Sequence, residues 1–230
     1  MATFLVAHGA WSAGWAWKKM RPLLRARGHE VFTPTYTGLG ERSHRATPDI
    51  DLETHIADVL GVLQFEDLRD VILIGHSYGG MVATGVADRA RERIATLVYL
   101  DAFAPKDGDS VQGFVPERQP AEGETMLQPN PMPQDTPEAD KAWAMPRRMP
   151  QPVRTFEQKL RLHNGEPTLP RHYIYCTRHT PEDRFRQFHE RAKREGWGSY
   201  EIDASHNPHI TAPEVLAGLL DGIAAQISSR

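Results

Sequence analysis

The sequence predicts an α/β fold, in which a mostly parallel sheet of at least six strands carries helices on both faces. Six short runs have the length of strands, and several are apolar at almost every position, as in a sheet that is covered on both sides. Segments that carry helix-capping residues alternate with these runs. Such alternation favours parallel strands joined by right-handed crossovers.

The six predicted strands lie in both the first and the second half of the chain. They are "TFLVA" (3–7), "EVFTPTY" (30–36), "VILIG" (71–75), "TLVYL" (96–100), "YIYCT" (173–177) and "YEIDA" (200–204). Three predicted helices are recognised by residues whose side chains accept hydrogen bonds from first-turn N–H groups. These helices begin at Asp51, at Thr180 with Pro181 and Asp183, and at Thr211 with Glu214.

Residues 105–170 interrupt this alternation. The segment is rich in Pro, Gln, Met and Glu and has no strand pattern. Because a structureless loop of this length is unusual in a compact domain, we expect a single domain over residues 1–230 with a small helical cap insertion at about 105–170. The Met and Trp side chains of the insertion either pack it onto the body or line a pocket; they are Met126, Met132, Trp143, Met145 and Met149.

The composition excludes several classes of protein. The 230 residues carry a net charge of −3, which argues against a nucleic-acid partner. The lone cysteine, Cys176, has no partner for an internal disulfide and suits a reducing compartment. The N-terminus has no signal-peptide pattern, and no stretch approaches the roughly 20 apolar residues that span a bilayer. We therefore expect a soluble, cytoplasmic protein with no membrane partner.

The stretch "VILIGHSYGGMV" carries the strongest chemical signal. It contains G-x-S-x-G between an apolar strand and a helical segment, which is the context of a nucleophile elbow. In such a turn the Ser77 hydroxyl stands above the sheet, close to the positive end of the helix that follows. An ordinary glycine-rich turn is the alternative interpretation of the same residues.

A serine hydroxyl needs a base and its reaction needs an oxyanion site. In "DASHNPH", His206 follows the last predicted strand directly and is the expected base, with His209 as its competitor. The expected oxyanion donors are the backbone N–H groups of Tyr78, after the serine, and of Ala10, in the loop after the first strand. With one cysteine and no H-E-x-x-H motif, no metal site is predicted.

Five stretches together resemble the α/β-hydrolase superfamily. They are "VAHGAWSAGWAW", "TPTYTGLGERSH", "IGHSYGGMV", "LVYLDAFAP" and "DASHNPH". They look most like the small esterase branch that also contains plant methylesterases and hydroxynitrile lyases. The resemblance covers nearly the whole chain except residues 110–150, and it implies an α/β-hydrolase fold and a cofactor-free serine hydrolase that acts on a small-molecule ester, carbamate or amide.

The triad acid departs from the pattern of that family. The family usually places an aspartate in a "CT-x-D" context, where this chain has His179 in "CTRH". Asp101, at the end of the strand after the nucleophile strand, is the favoured acid, because superfamily members also draw the acid from that strand. Asp183 is the other candidate, but its place near a helix start also suits a capping residue.

Two further functions compete with hydrolysis. One is a hydroxynitrile-lyase-like or other non-hydrolytic reaction at the same elbow; lyases of the resembled branch carry a threonine and a lysine where this chain has Gly9 and Asn207, which weakens this function. A non-catalytic ligand-binding protein on the same scaffold is the third possibility, against which the Ser77 and His206 pair argues. The sequence predicts a small-molecule substrate and assigns no oligomeric state.

Overall fold

In a computed structural model, which describes residues 1–178 and 183–228, parallel strands form a central six-stranded sheet. The strands of the chain are β1 (Thr3–Ala7), β2 (Glu30–Phe32), β3 (Val71–His76), β4 (Ile94–Leu100), β5 (Met126–Leu127), β6 (Gln151–Pro152), β7 (Arg171–Cys176) and β8 (Gly198–Ile202). The order of strands in the sheet is β2-β1-β3-β4-β7-β8. The predicted parallel α/β architecture is thus confirmed.

Helices cover both faces of this sheet. They are α1 (Met20–Ala26), α2 (Leu52–Phe65), α3 (Gly79–Arg89), α4 (Val111–Phe114), α5 (Glu138–Ala144), α6 (Arg154–Glu157), α7 (Arg186–Arg194), α8 (Pro208–Thr211) and α9 (Pro213–Ser228). Alternate residues of a strand point to opposite layers: Leu73 packs in the core under α2 and α3, whereas Ile72 and Ile74 pack in the core under α1 and α9. This burial on both sides explains the continuous apolar runs of the sequence.

Several helix and strand ends differ from the prediction, among them those of β2, α9 and α7. Strand β2 stops at Phe32 rather than residue 36, just before Pro34, which has no N–H for a sheet hydrogen bond. Helix α9 begins at Pro213, because the Thr211 hydroxyl donates to the Asn207 carbonyl oxygen at 3.2 Å inside α8 instead of capping α9. The predicted cap at Asp51 is confirmed, since its carboxylate accepts from the Thr54 N–H at 2.9 Å.

The third difference concerns α7, which begins at Arg186 rather than near residue 180. Asp183 still accepts a hydrogen bond from the Arg186 N–H at 3.1 Å. Thr180 and Pro181, the other residues of the predicted cap, lie outside the described residues, as does His179.

The insertion is less helical than predicted. It contains the short helices α4, α5 and α6, but also an antiparallel ladder in which Leu127 of β5 pairs with Gln151 of β6. Of the five Met and Trp residues considered above, Met132 is the one that lines the main cavity of the described residues, while Met149 and Trp143 pack against the two cores. In the part of the chain that the structure describes, no helix has the length and apolarity to cross a membrane.

Candidate active site

Ser77 occupies a tight turn between β3 and α3. Its φ of 54° is in the left-handed region, which costs a non-glycine residue about 1–2 kcal/mol. Two backbone bonds hold the turn: the Ser77 N–H donates to the Leu100 carbonyl oxygen at 3.3 Å, and the Phe103 N–H donates to the Ser77 carbonyl oxygen at 3.2 Å. A Cβ on Gly80 would lie 1.9 Å from the Phe103 carbonyl oxygen, so this close approach requires glycine.

The structure brings Ser77, His206 and Asp101 together. His206 Nε2 lies 2.9 Å from Ser77 Oγ, and His206 Nδ1 lies 2.7 Å from Asp101 Oδ2. A neutral imidazole that donates its Nδ1 hydrogen to the carboxylate leaves Nε2 free to accept the serine proton. The three groups are therefore arranged for proton transfer from the serine to the imidazole.

Asp101 is completely buried and follows β4 directly, with a φ of 43°. Its second oxygen, Oδ1, accepts a hydrogen bond from the Cys176 N–H at 3.2 Å. Asp183 is placed differently: it accepts from the Tyr175 hydroxyl and from Arg186, and none of its bonds within the described residues reaches His206. Of the two acids that the sequence left open, the geometry thus joins Asp101 to the histidine.

Ala10 and Tyr78 line the same cavity as Ser77. Within the described residues, neither backbone N–H donates to a backbone or side-chain acceptor. The next N–H in the first loop is occupied, because Trp11 donates to Gln151 Oε1 at 2.9 Å. Trp11 itself has a φ of 56°, and this bond fixes the turn that leaves the Ala10 N–H available.

His76, which precedes Ser77, forms a hydrogen bond to the main chain of His206. Its Nε2 lies 2.8 Å from the His206 carbonyl oxygen, which can only accept, so the imidazole donates. Burial, together with the neighbouring His206, lowers the pKa of His76 to about 3, so its ring is neutral at physiological pH. His209 does not compete for the serine; it is buried against Trp17 with ring centroids 4.9 Å apart, and burial holds its pKa well below the usual range.

The body and the insertion together enclose a cavity of about 810 Å³ above Ser77. Its apolar wall includes Phe103 and Phe185 from the body and Phe156 from the insertion. The Phe185 ring stacks on the His206 imidazole, with centroids 4.9 Å apart and the planes 10° from parallel. The space and its lining suit a small, partly aromatic molecule.

Sequence reasoning missed Gln151 and Phe185. Gln151 is fully buried, and its Nε2 donates to the Thr155 hydroxyl at 2.8 Å while its Oε1 holds Trp11. No local pattern announces this contact, because Gln151 and Trp11 are 140 residues apart in the chain. The predicted helix begins at Thr180 and so includes Phe185, whereas α7 begins at Arg186. The prediction therefore gives no sign that Phe185 lies over the His206 ring.

Comparison with known proteins gives matches over almost the whole chain. Residues 4–219 match the model of the Alpha/beta hydrolase family. The chain is 40% identical to a carbendazim hydrolyzing esterase of Nocardioides sp. (strain SG-4G), over 94% of this chain and 97% of that protein. It is 32% identical to Methylesterase 2 of Arabidopsis thaliana, over 50% of this chain and 44% of that protein.

Solved structures agree on the fold. An extracellular alpha/beta-hydrolase from a Paenibacillus species superposes with a TM-score of 0.80 at 28% identity, covering 96% of this chain and 98% of that chain. Tomato Methylketone Synthase I gives a TM-score of 0.83 at 18% identity, covering 98% of each chain, and supports the fold alone.

Proposed function

Because the chain belongs to the alpha/beta hydrolase family of enzymes, we propose that it is a serine hydrolase that cleaves a small-molecule ester, or a related carbamate or amide, through an acyl-enzyme. The observation that carries this proposal is the 2.9 Å contact between Ser77 Oγ and His206 Nε2, with Asp101 bonded to the other ring nitrogen. The printed names of the carbendazim hydrolyzing esterase and of Methylesterase 2 support the ester class.

Each group has a role in the proposed reaction. Ser77 Oγ attacks the carbonyl carbon while His206 Nε2 takes the serine proton, and Asp101 stabilises the resulting imidazolium. The Ala10 and Tyr78 N–H groups hold the oxyanion, and each lowers the barrier by about 3 kcal/mol. His206 then gives its proton to the leaving group.

The second half of the reaction regenerates the enzyme. His206 removes a proton from water, the hydroxide attacks the acyl carbon, and Ser77 leaves with the proton from the histidine. The products are a carboxylic acid and an alcohol for an ester, so atoms and charges balance without a cofactor.

We also propose that residues 105–170 act as a cap of this single domain. The segment supplies Val111, Val115, Met132 and Phe156 to the cavity wall. Through Gln151 it also contacts the loop that carries Ala10. A cytoplasmic location stays a prediction of the sequence.

The test combines labelling and turnover. We expect a fluorophosphonate to label the wild-type protein and p-nitrophenyl acetate to be hydrolysed, and we expect Ser77→Ala to lose both. Ser199→Ala, which changes an exposed serine on β8, is the matched control. Wild-type protein that neither labels nor hydrolyses small esters, carbamates or amides would contradict the proposal.

A further inference from the structure

Two arginines of the insertion converge on one aromatic ring inside the cavity. The Arg118 guanidinium carbon lies 4.2 Å from the centroid of the Trp11 ring, and that of Arg148 lies 5.7 Å away. Both arginines line the cavity that contains Ser77. Since Trp11 follows Ala10 directly, these positive groups lie on the wall next to the proposed oxyanion site.

In the part of the chain that the structure describes, no carboxylate forms a direct ion pair with either arginine of this pair, although Glu117 and Glu124 act on Arg118 from a longer distance. Within residues 1–178 and 183–228, neither guanidinium has a carboxylate oxygen within 4.0 Å. Their hydrogen bonds to oxygen go to main-chain carbonyls instead, from Arg118 to Gln128 at 3.0 Å and from Arg148 to Asn130, and Arg148 also contacts the Met145 sulfur at 4.0 Å. Burial and the neighbouring Arg118 lower the pKa of Arg148 to about 10, which leaves it charged at neutral pH.

The other two arginines of the cavity wall show the contrast. Arg178 forms two bonds to Asp203, at 2.7 and 2.8 Å, and Arg184 lies 3.5 Å from Glu117. Those two charges are neutralised within the protein. Arg118 and Arg148 differ from them in position, since they lie over Trp11, and in having no carboxylate oxygen within 4.0 Å among the described residues.

Two partly desolvated like charges repel each other unless an anion comes between them. A guanidinium presents five N–H donors in a planar fork that matches a carboxylate, and only a minority of these donors is used here. The Trp11 face holds the Arg118 fork flat through a cation–π contact. A purely structural role, in which the arginines hold the segment around residues 128–130 in place, explains their bonds to its carbonyl oxygens. It does not explain why two cations lie close together in the cavity wall.

We propose that Arg118 and Arg148 form an anion-binding subsite, and that the enzyme prefers substrates carrying a carboxylate in addition to the scissile ester. This inference rests on the proposed function and narrows its substrate class. The carboxylate stays unchanged in the reaction; it binds in the fork of the two arginines while Ser77 attacks the ester carbonyl.

The kinetic test uses neutral and anionic substrates of the same shape. One pair, 4-acetoxybenzoate and 4-acetoxybenzamide, carries the charge on the leaving group; monomethyl terephthalate and methyl 4-carbamoylbenzoate carry it on the acyl part. We expect a higher kcat/KM for the anion in at least one pair. We expect the ratio of anionic to neutral kcat/KM to fall at least about tenfold in Arg148→Gln and in Arg118→Gln.

Controls separate charge from general disturbance. Arg147→Gln removes an adjacent, exposed arginine that lies over Trp143 at 5.5 Å and does not line the cavity, and we expect it to leave the ratio unchanged. Arg148→Lys keeps the charge without the fork and should retain part of the preference. A ratio that both glutamine variants leave unmoved overturns the subsite.

A binding measurement keeps the inference testable even if the proposed function fails. Titration calorimetry of the Ser77→Ala protein with 4-acetamidobenzoate and 4-acetamidobenzamide compares an anion with its neutral isostere without turnover. We expect the anion to bind at least about tenfold more tightly, and this difference to disappear when Arg148→Gln is added. Equal affinities for the two compounds overturn the subsite, whereas absence of hydrolysis with selective anion binding overturns only the proposed function.

Discussion

The body and the insertion contribute to the cavity in different ways. Body residues Ser77 and Asp101 stand at the ends of adjacent strands, both with positive φ, and backbone bonds fix them; the Asp101 N–H, for example, donates to the Ile174 carbonyl oxygen at 2.8 Å. The insertion has helices of four to seven residues and reaches the body through side chains such as Gln151 and Gln158. The proposed catalytic groups are thus positioned by the sheet, and part of the cavity wall by the insertion. Substitutions should therefore have large effects in the body and graded effects in the insertion.

The largest effect should separate the two acids. Asp101→Asn keeps the shape but presents an amide to His206, which favours the wrong tautomer and removes the charge opposite the imidazolium; we expect kcat to fall about 10⁴-fold. Asp183→Asn, the matched control, leaves the 2.7 Å contact between His206 and Asp101 intact and should change kcat little. Steady-state kinetics with p-nitrophenyl acetate measures both. Loss of activity in the Asp183 variant alone would mean that the assignment of the acid is wrong.

Two glycine-to-alanine substitutions, one in the body and one in the insertion, compare how tightly the two regions pack. In Gly80→Ala the new methyl group would lie 1.9 Å from the Phe103 carbonyl oxygen, so we expect the free energy of unfolding to fall by about 3 kcal/mol. In Gly113→Ala, within α4 of the insertion, the nearest atom lies at 3.5 Å and helix propensity favours alanine, so we expect a gain of up to about 1 kcal/mol. Urea unfolding followed by circular dichroism measures both changes. Similar destabilisation by the two substitutions would remove the proposed difference in packing.

The same difference explains what sequence reasoning found and missed. Ser77 is predicted as the nucleophile because a nucleophile elbow is a local pattern of strand, turn and helix within about ten residues. His206 follows from a strand end in the same way. The contact of Gln151 with Trp11 spans 140 residues and depends on a ladder of two residues per strand, which is too short to leave an alternating pattern. Local periodicity therefore predicted the sheet and its strand-end residues, whereas the insertion depends on long-range side-chain contacts that no periodicity encodes.

Gln151 tests how strongly the insertion controls the proposed oxyanion loop. Gln151→Leu leaves the buried Trp11 N–H without its acceptor, so the turn that presents the Ala10 N–H loses its support; we expect kcat to fall about tenfold with a smaller change in KM. Gln151→Glu should recover part of the activity, because burial favours the protonated carboxyl, which can accept from Trp11 and donate to Thr155. Full activity in the leucine variant would show that the loop holds its conformation without the insertion.

The smallest effect concerns stability against pH and again contrasts the two regions. His55 is fully buried in the body, where its Nδ1 lies 2.9 Å from the Tyr78 hydroxyl oxygen, and burial lowers its pKa from 6.5 to about 3. His163, in the insertion, is exposed and serves as the control. Between these two pKa values the unfolded chain binds a proton that folded His55 does not, so the free energy of unfolding is highest above pH 6.5 and falls as the pH decreases toward about 3.

For one such histidine the loss between about pH 7.5 and about pH 5.5 is about 1 kcal/mol. His8, with its pKa lowered by burial to about 4, and His76 act in the same direction, so the wild-type loss is the sum of several such contributions. We expect His55→Gln to reduce the pH-dependent loss by about 1 kcal/mol and His163→Gln to leave it unchanged. Urea unfolding at the two pH values gives each difference. If the wild-type stability does not change over this range, the buried imidazoles of the body take up protons without unfolding. The folded body would then tolerate buried positive charge better than its packing indicates.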